Sequence, residues 1–301
     1  MTTAAPPLAR TTVNMPAIGM AVTAVVALAL ALRVPLTVTV LGFVLFGALH
    51  NVLELRYVLG RFANVLTGRL LGVLVALITG IAVCRLIPTR TGEILLGYAV
   101  LAAATVWALR GRWIALGATM SVLAVATAAS LTWPVHHFVV FTHLHNIVPL
   151  VFLWEWTRSA ATRAVTVGWV LVIPAALLLG FADALLRTDG PAALSPAATT
   201  LLEGTMATRF LAVFAFLQTM HYVVWVWLFP RYAPSAGARV PALKGWRAWG
   251  LGAAAAVALG VILATDYASG RGVYASLATY HAYLEFPVLL TLLFSLQKGQ
   301  S

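Results

Sequence analysis

Residues 136–157 read HHFVVFTHLHNIVPLVFLWEWT, and Glu155 is the only Asp, Glu, Lys or Arg among them. A transmembrane helix needs about 20 mostly apolar residues, so this stretch is long enough to cross a bilayer. The whole chain shares this character: 62% of its 301 residues are hydrophobic and 9% are charged. A soluble domain carries about 25% charged residues. The composition therefore excludes a soluble globular enzyme, a disordered chain and a secreted disulfide scaffold.

Working outward from this stretch, the apolar runs predict ten membrane-spanning segments. They cover roughly residues 15–32, 35–57, 66–87, 92–109, 113–133, 136–157, 164–187, 208–229, 247–267 and 273–296. No run alternates as a lipid-facing β-strand would, and backbone groups in lipid must pair within their own segment or barrel. The predicted fold is an all-α integral membrane protein, a polytopic bundle of about ten transmembrane helices. Residues 1–301 form one transmembrane domain, with an outer loop near 188–207 and a cytoplasmic loop near 230–246.

The positive charges predict how this bundle is oriented. With ten spans, 13 of the 19 lysines and arginines fall on the side of the N-terminus and 6 on the other side. The six are Arg33, Arg85, Arg90, Arg187, Arg209 and Arg271. Positive residues are retained in the cytoplasm. We therefore expect a multi-pass protein of the cell membrane with both termini cytoplasmic. A net charge of +11 would suggest a nucleic-acid partner in a soluble protein, but here the arginines lie between apolar runs and membrane orientation explains them, so no nucleic-acid partner is expected.

The histidines follow the parity of the predicted spans. All seven lie on even-numbered spans: His50 on the second, His136, His137, His143 and His145 on the sixth, His221 on the eighth and His281 on the tenth. At about 1.5 Å per residue, the depths of five of them overlap within the membrane. We expect His50, His221, His281 and at least one of His143 and His145 to converge and bind a metal, whereas His136 and His137 lie at the outer rim.

Two of these histidines have a carboxylate one helical turn later. Glu54 follows His50 by four residues, and Glu285 follows His281 by four. Residues four apart lie on one face of a helix, and an ionisable group inside a bilayer is costly unless it is paired. Each pair can share a cation, share a proton or form a hydrogen bond. Imidazole and carboxylate together suit iron, manganese or zinc.

Aromatic residues surround the predicted histidine layer. Tyr222 follows His221 directly, and Tyr283 lies two residues after His281. A cavity lined by aromatic side chains accepts a long apolar molecule. With Glu54 and Glu285, these two tyrosines are the candidate catalytic residues.

Three segments resemble a known family. They are Leu-His-Asn-Val-Leu-Glu-Leu-Arg-Tyr (49–57), Thr-His-Leu-His-Asn (142–146) and Gln-Thr-Met-His-Tyr-Val-Val-Trp (218–225). Together they resemble the Brp/Blh-type membrane carotenoid dioxygenases, which hold iron with intramembrane histidines. The resemblance implies non-haem iron bound by His50, His221, His281 and one of His143 or His145.

Three functions are compatible with these observations. The first is a metal-dependent oxidase or oxygenase, with non-haem iron or another transition metal, acting on a lipophilic small molecule that enters from the membrane lipids. An electron-donor protein is a partner that such an enzyme can require. The second is a proton-coupled transporter in which the His/Glu pairs relay protons. The third is a haem-binding membrane redox protein with histidine pairs as axial ligands. The oligomeric state is left open.

Overall fold

The computed structural model describes residues 17–62, 66, 68–87, 89–154, 157, 159–190, 204–232, 240 and 243–296. Within these residues the chain forms ten long helices and no strand, which confirms the all-α class. The helices are α1 Ala17–Arg33, α2 Pro35–Arg61, α3 Gly68–Leu86, α4 Arg90–Ala108, α5 Trp113–Thr132, α6 Pro134–Trp154, α7 Ala160–Leu178, α8 Gly204–Arg231, α9 Trp246–Thr265 and α10 Tyr267–Leu296.

Eight of these helices, α2 to α9, are long and apolar enough to cross a membrane. The helix α1 is apolar but shorter. The helix α10 has 30 residues and is less apolar because it carries polar side chains that point inward, among them His281 and Glu285. The described chain is therefore a polytopic helical bundle.

Most predicted spans match a helix, but the seventh differs. The apolar run predicts this span over 164–187, whereas α7 begins at Ala160 and ends at Leu178. Ser159 caps its start by accepting a hydrogen bond from the amide of Thr162. Beyond its end, Gly180 adopts a φ of 86°, a left-handed conformation that commonly ends a helix and favours glycine. The central parts of the two predicted long loops, 191–203 and 233–239, lie outside the described residues.

The helix α8 lies at the centre of the bundle. Most of its residues are buried, and it packs against α1, α2 and α6. The helix α10 packs against α3 and α4 and also touches α2 and α6. By contrast, Ser130 is the one buried residue of α5. The interior is therefore built largely by α2, α6, α8 and α10, the four helices that carry the histidines.

A π-helical segment interrupts α8 over Val223–Leu228, directly after His221 and Tyr222. Such wider turns are uncommon, and they occur frequently at functional sites. A second π-helical segment lies in α7 over Gly168–Val172. The first of these segments therefore lies beside His221, at a position that is typical of a functional site.

The helix α9 packs along α2 at very short distance. At Gly252, an added Cβ would lie 2.6 Å from Leu49 Cδ1 and 3.2 Å from Leu49 Cα. Small residues allow helix backbones in membranes to approach in this way. The contact holds α2 in place one residue before His50.

Candidate metal centre

Four histidines from four helices meet in the bundle interior. They are His50 of α2, His145 of α6, His221 of α8 and His281 of α10, which we call the histidine quartet. Each offers a ring nitrogen, and these four nitrogens all lie within 4.8 Å of one another. Three of the residues are at most 2% exposed, and the His145 side chain is 14% exposed. The quartet can hold a metal ion.

Hydrogen bonds fix which nitrogen of two quartet members faces inward. His50 Nδ1 lies 2.9 Å from the carbonyl oxygen of Phe46. A carbonyl only accepts, so this Nδ1 carries the proton and the Nε2 of His50 presents a lone pair. His145 Nδ1 lies 2.8 Å from Glu285 Oε2, and a carboxylate there holds the Nδ1 proton in the same way. A carboxylate behind an imidazole is the usual support of a metal-binding histidine.

The inward nitrogens are closely spaced. His281 Nε2 lies 3.3 Å from His50 Nε2 and 3.2 Å from His145 Nε2. A proton on His281 Nε2 can be donated to only one of these two neighbours. Two imidazole nitrogens bound about 2.1 Å from one ion stand ~3.0–3.4 Å apart for octahedral or tetrahedral angles. The observed separations therefore suit ligands of one cation.

Two buried carboxyl groups lie against the quartet. Glu54 and Glu285 are both 0% exposed. Glu54 Oε2 lies 4.0 Å from His221 Nε2, and neither Glu54 oxygen has a hydrogen-bond partner. Of the Glu285 oxygens, Oε2 contacts His145, whereas Oε1 has no partner. A charged carboxylate in a membrane interior requires a nearby cation or a proton.

Some ring nitrogens of the quartet histidines also lack hydrogen-bond partners. Both ring nitrogens of His221 and Nδ1 of His281 make no hydrogen bond within the described protein. Buried polar groups are normally paired, because leaving one unpaired costs about 1–3 kcal/mol. So many unpaired donors and acceptors beside one another fit a site for a positively charged ligand, and the donor set fits a transition metal.

Tyr222, one of the candidate catalytic residues, lies beside His50. Its ring centroid is 4.7 Å from that of His50, and its hydroxyl accepts a hydrogen bond of 2.9 Å from Gln218 Nε2. The side chain is buried. Tyr222 therefore forms part of the wall of the centre, beside α2.

Two predicted site residues do not reach the quartet. His143 directs Nδ1 to the carbonyl of Val139, at 2.7 Å, and lies outside the group. The Tyr283 hydroxyl donates instead to Glu93 Oε1, at 2.9 Å. Each is two residues from a quartet member, and residues two apart on a helix do not face the same side. In this geometry His145, and not His143, is the member of the pair that joins the quartet, and the Tyr283 hydroxyl is directed to Glu93 and away from the quartet.

A cavity of about 450 Å³ contacts all four histidines of the quartet. Phenylalanine side chains from α2, α6 and α8 form part of its wall. These are Phe43, Phe138, Phe141 and Phe214. At its other end the cavity reaches the region where α3 ends and where α4 and α10 begin, and Arg85, Arg90 and Arg271 line it there. The cavity therefore connects the quartet to a basic end of the bundle.

Sequence reasoning missed the ion pair beside this cavity. Arg85 donates from Nε and from its terminal nitrogen to Glu93 Oε1, at 2.9 and 2.6 Å, and also to the carbonyl of Ala275 at 2.7 Å. From the sequence, Arg85 is only one of the charges that orient the bundle. The sequence feature that could have indicated this ion pair is the eight-residue separation of Arg85 and Glu93. The short turn between α3 and α4 brings the end of α3 beside the start of α4, so these two residues meet.

A second, apolar cleft lies next to the cavity. It has a volume of about 330 Å³ and is lined by residues of α4, α5, α6 and α10. Phe141 lines both the cleft and the cavity, and its ring stacks on Tyr283 with centroids 4.5 Å apart. These two rings stand between the cleft and the arginine-lined end of the cavity.

Comparison of the chain with family models, with curated proteins and with solved structures gave no match. The assignment of the centre therefore depends on its geometry and on the chemistry of its residues.

Proposed function

We propose that this protein is an intramembrane metal-dependent oxidase or oxygenase that acts on a lipophilic substrate and uses non-haem iron. The observation that carries the proposal is the histidine quartet, four nearly buried imidazoles from four helices within 4.8 Å. Bringing four imidazoles together in an apolar bundle is unfavourable unless they bind a ligand, because each imidazole must leave water. A shared ion offsets that cost.

The spacing of the nitrogens favours a single non-haem ion over haem. Two axial histidines of one haem stand on opposite faces of the macrocycle, about 4 Å apart across the iron. Here the Nε2 atoms of His281 and His145 are 3.2 Å apart, which is too close for that arrangement. Imidazole suits iron, copper, zinc and nickel alike. The resemblance to iron-dependent membrane dioxygenases supports iron among these.

A bound ferrous ion would supply the binding and activation of dioxygen, which no amino-acid side chain provides. The chain supplies the remaining elements. Glu285 orients His145 through the contact at Nδ1 and increases the basicity of that ligand. Glu54, buried and 4.0 Å from His221, is placed to hold or release a proton at its carboxyl group. Tyr222 closes the site beside His50 and excludes water from it.

The substrate binds in the cavity of about 450 Å³, because this space contacts all four histidines. Ligand pockets range over about 300–1,000 Å³, and their walls are mostly apolar. The phenylalanines of the wall hold an apolar chain, and the quartet faces its reacting carbon. The membrane lipids are both the surroundings of the protein and the route by which the substrate arrives.

The test is oxygen incorporation by the purified protein. The wild-type protein and His281→Gln are loaded with ferrous ion without oxygen, then mixed with ¹⁸O₂ and a lipid extract of the native membrane. We expect ¹⁸O in a component of the extract with the wild type and none with His281→Gln. Metal bound by the wild type, but no ¹⁸O above the variant, would overturn the oxygenase assignment, and no consumption of ¹⁸O₂ above the variant would overturn the oxidase assignment as well. A transporter using its His/Glu pairs would give neither metal nor incorporation.

A further inference from the structure

The apolar cleft beside the cavity has one polar region in its wall. Tyr98 of α4, Ser130 of α5 and His137 of α6 line the cleft, and we call these three residues the polar chain. The Tyr98 hydroxyl oxygen lies 2.9 Å from Ser130 Oγ, and His137 Nδ1 lies 3.0 Å from the same Oγ. Hydrogen bonds therefore connect three helices, close to the turn between α5 and α6.

Both ends of the polar chain have hydrogen-bonding capacity that the described protein does not use. His137 Nε2 is buried and has no hydrogen-bond partner there, which is unfavourable for a polar atom. At the other end, the Tyr98 hydroxyl bonds to Ser130, and a hydroxyl can both donate and accept. Holding the three helices together requires only the two bonds at Ser130, so that role does not explain the unpaired nitrogen.

The rest of the cleft wall is apolar and largely aromatic. Phe141 stacks on Tyr283 and lies 5.3 Å from Phe286 between ring centroids. None of the described residues that line the cleft is Asp, Glu, Lys or Arg. A charged ligand would leave water here without a counter-ion, which is costly. The wall therefore suits an uncharged molecule.

The cleft is open at the outside of the bundle. Trp133, Val140 and Leu144 line it and are exposed, and exposed apolar side chains of a membrane-spanning bundle face the hydrocarbon of the bilayer. A molecule dissolved in the membrane can enter the cleft directly. Its volume of about 330 Å³ lies within the usual range for ligand pockets, about 300–1,000 Å³.

The polar chain selects the polar group of such a molecule. If Tyr98 donates to Ser130 and Ser130 donates to His137 Nδ1, then Nε2 carries a proton and the Tyr98 oxygen accepts. If the bonds run the other way, Nε2 accepts and Tyr98 donates. A ligand hydroxyl both donates and accepts, so it fits either end of the chain in both directions. A carbonyl or ether oxygen only accepts.

We propose that the cleft is a second ligand site, which binds an uncharged lipophilic alcohol whose hydroxyl group bonds to the polar chain. An acyl chain of a membrane lipid fills the apolar part of the cleft but leaves the polar chain unpaired, and water does the reverse. An alcohol satisfies both. The site is independent of the proposed metal centre, because no member of the quartet lines the cleft.

The test measures binding to the purified protein in a neutral detergent. Tritiated 1-dodecanol is displaced either by unlabelled 1-dodecanol or by 1-chlorododecane, which has the same chain and no hydroxyl. The preference for the alcohol is compared between proteins, so that partition into the micelle cancels. We expect it to be about tenfold greater in the wild type than in Tyr98→Phe/His137→Phe, which keeps two aromatic rings and removes both ends of the polar chain.

Tyr280→Phe is the matched control for this change. Its hydroxyl contacts Thr79 and does not line the cleft, so this variant keeps the wild-type preference.

A second pair of variants locates the bound alcohol. Val140 and Val151 are both exposed on α6, and of the two only Val140 lines the cleft. We expect Val140→Trp to fill the cleft and to weaken binding of 1-dodecanol at least tenfold. Val151→Trp binds as the wild type does.

Three results would overturn the inference: no saturable binding of 1-dodecanol to the wild type, equal preference in the wild type and the double variant, or undiminished binding by Val140→Trp. The last substitution lies on an exposed face, so it decides the question even where the double variant fails to fold. Metal content does not enter any of these outcomes, so they leave the proposed function untouched.

Discussion

At the scale of single residues, we expect the side chain of Glu285 to determine how firmly the proposed centre binds a metal ion. Its Oε2 atom holds His145 at Nδ1, at 2.8 Å, and so keeps the Nε2 lone pair directed into the quartet. Glu285→Gln retains the volume but replaces a charged acceptor with an amide. Loss of such a supporting group costs about 10–100-fold in metal affinity or activity.

We therefore expect Glu285→Gln to fold. The chelator concentration that removes half of its iron should be about 10–100-fold lower than the concentration that the wild type requires. The measurement is a chelator competition followed by elemental analysis. Tyr283→Phe is the control, because it removes a hydroxyl that bonds to Glu93 and does not touch the quartet. Equal retention of iron by the wild type and Glu285→Gln would remove this carboxylate from the centre.

The sequence predicted much of the centre at this scale. Histidines on alternate spans, and carboxylates four residues after two of them, pointed to His50, His221, His281, Glu54 and Glu285. It could not choose between His143 and His145, because that choice depends on how α6 is rotated about its axis, and both faces of α6 carry apolar residues. The same uncertainty applies to Tyr283, whose hydroxyl bonds to Glu93 and not to the quartet. Packing partners in space, not spacing along the chain, decide such rotations.

At the scale of helices, the close contact of α9 with α2 places His50. Gly252→Ala adds a Cβ that would lie 3.2 Å from Leu49 Cα, and the backbone there cannot move aside as a flexible side chain can. We expect a loss of about 1–3 kcal/mol in stability and a lower iron content, because α2 is displaced beside His50. Thermal unfolding in detergent and elemental analysis measure the two effects.

Gly72→Ala is the matched control for this change. An added Cβ at Gly72 meets nothing within 4 Å, and alanine favours a helix by about 1 kcal/mol relative to glycine. We expect this variant to be as stable as the wild type or slightly more stable, with full iron content. Equal stability of Gly252→Ala and Gly72→Ala would show that the α2–α9 contact is not tight.

The start of α2 depends on a residue far along the chain. Asp189 accepts hydrogen bonds from the amides of Leu36 and Thr37, at 2.9 and 2.8 Å, and so caps the first turn. Partial burial raises the pKa of this carboxyl, but the bonds from Thr37 and Leu36 outweigh it and bring the pKa below its ordinary value of 3.8. The charged form is therefore the stabilising one.

We expect Asp189→Ala to lose about 1 kcal/mol of stability at neutral pH, the usual value of a helix cap. Because the folded pKa is lowered, this contribution is complete above pH 3.8 and disappears as the pH falls through the lower folded value. Unfolding midpoints of the wild type and the variant, compared from pH 7 downward, test this. A difference that grows on acidification would contradict the capping role.

The helices themselves were largely predictable, because each apolar run is long and the backbone has no alternative in lipid. The residues at which the helices end were less predictable. The predicted seventh span ran to residue 187, but the left-handed turn at Gly180 follows the end of α7 at Leu178. Hydropathy does not register such turns, since the residues on both sides remain apolar. The π-helical segment after His221 is likewise invisible to an apolar pattern.

At the scale of the whole molecule, the distribution of positive residues predicts the topology. With ten spans the split is 13 to 6 among the 19 lysines and arginines, and the richer side is expected in the cytoplasm. We expect a reporter that is active only in the cytoplasm to work when fused after Ser301, and one that needs the outside to fail there. The opposite pattern would contradict the predicted orientation.

The central claim is that the histidine quartet binds one metal ion, and elemental analysis of the purified protein tests it most directly. The wild type, His281→Gln and His143→Gln are expressed and purified identically, with His143 as the control because it lies outside the quartet. The account predicts about one iron ion per chain in the wild type and in His143→Gln, and almost none in His281→Gln. Equal metal in all three proteins, or none in the wild type, would contradict it.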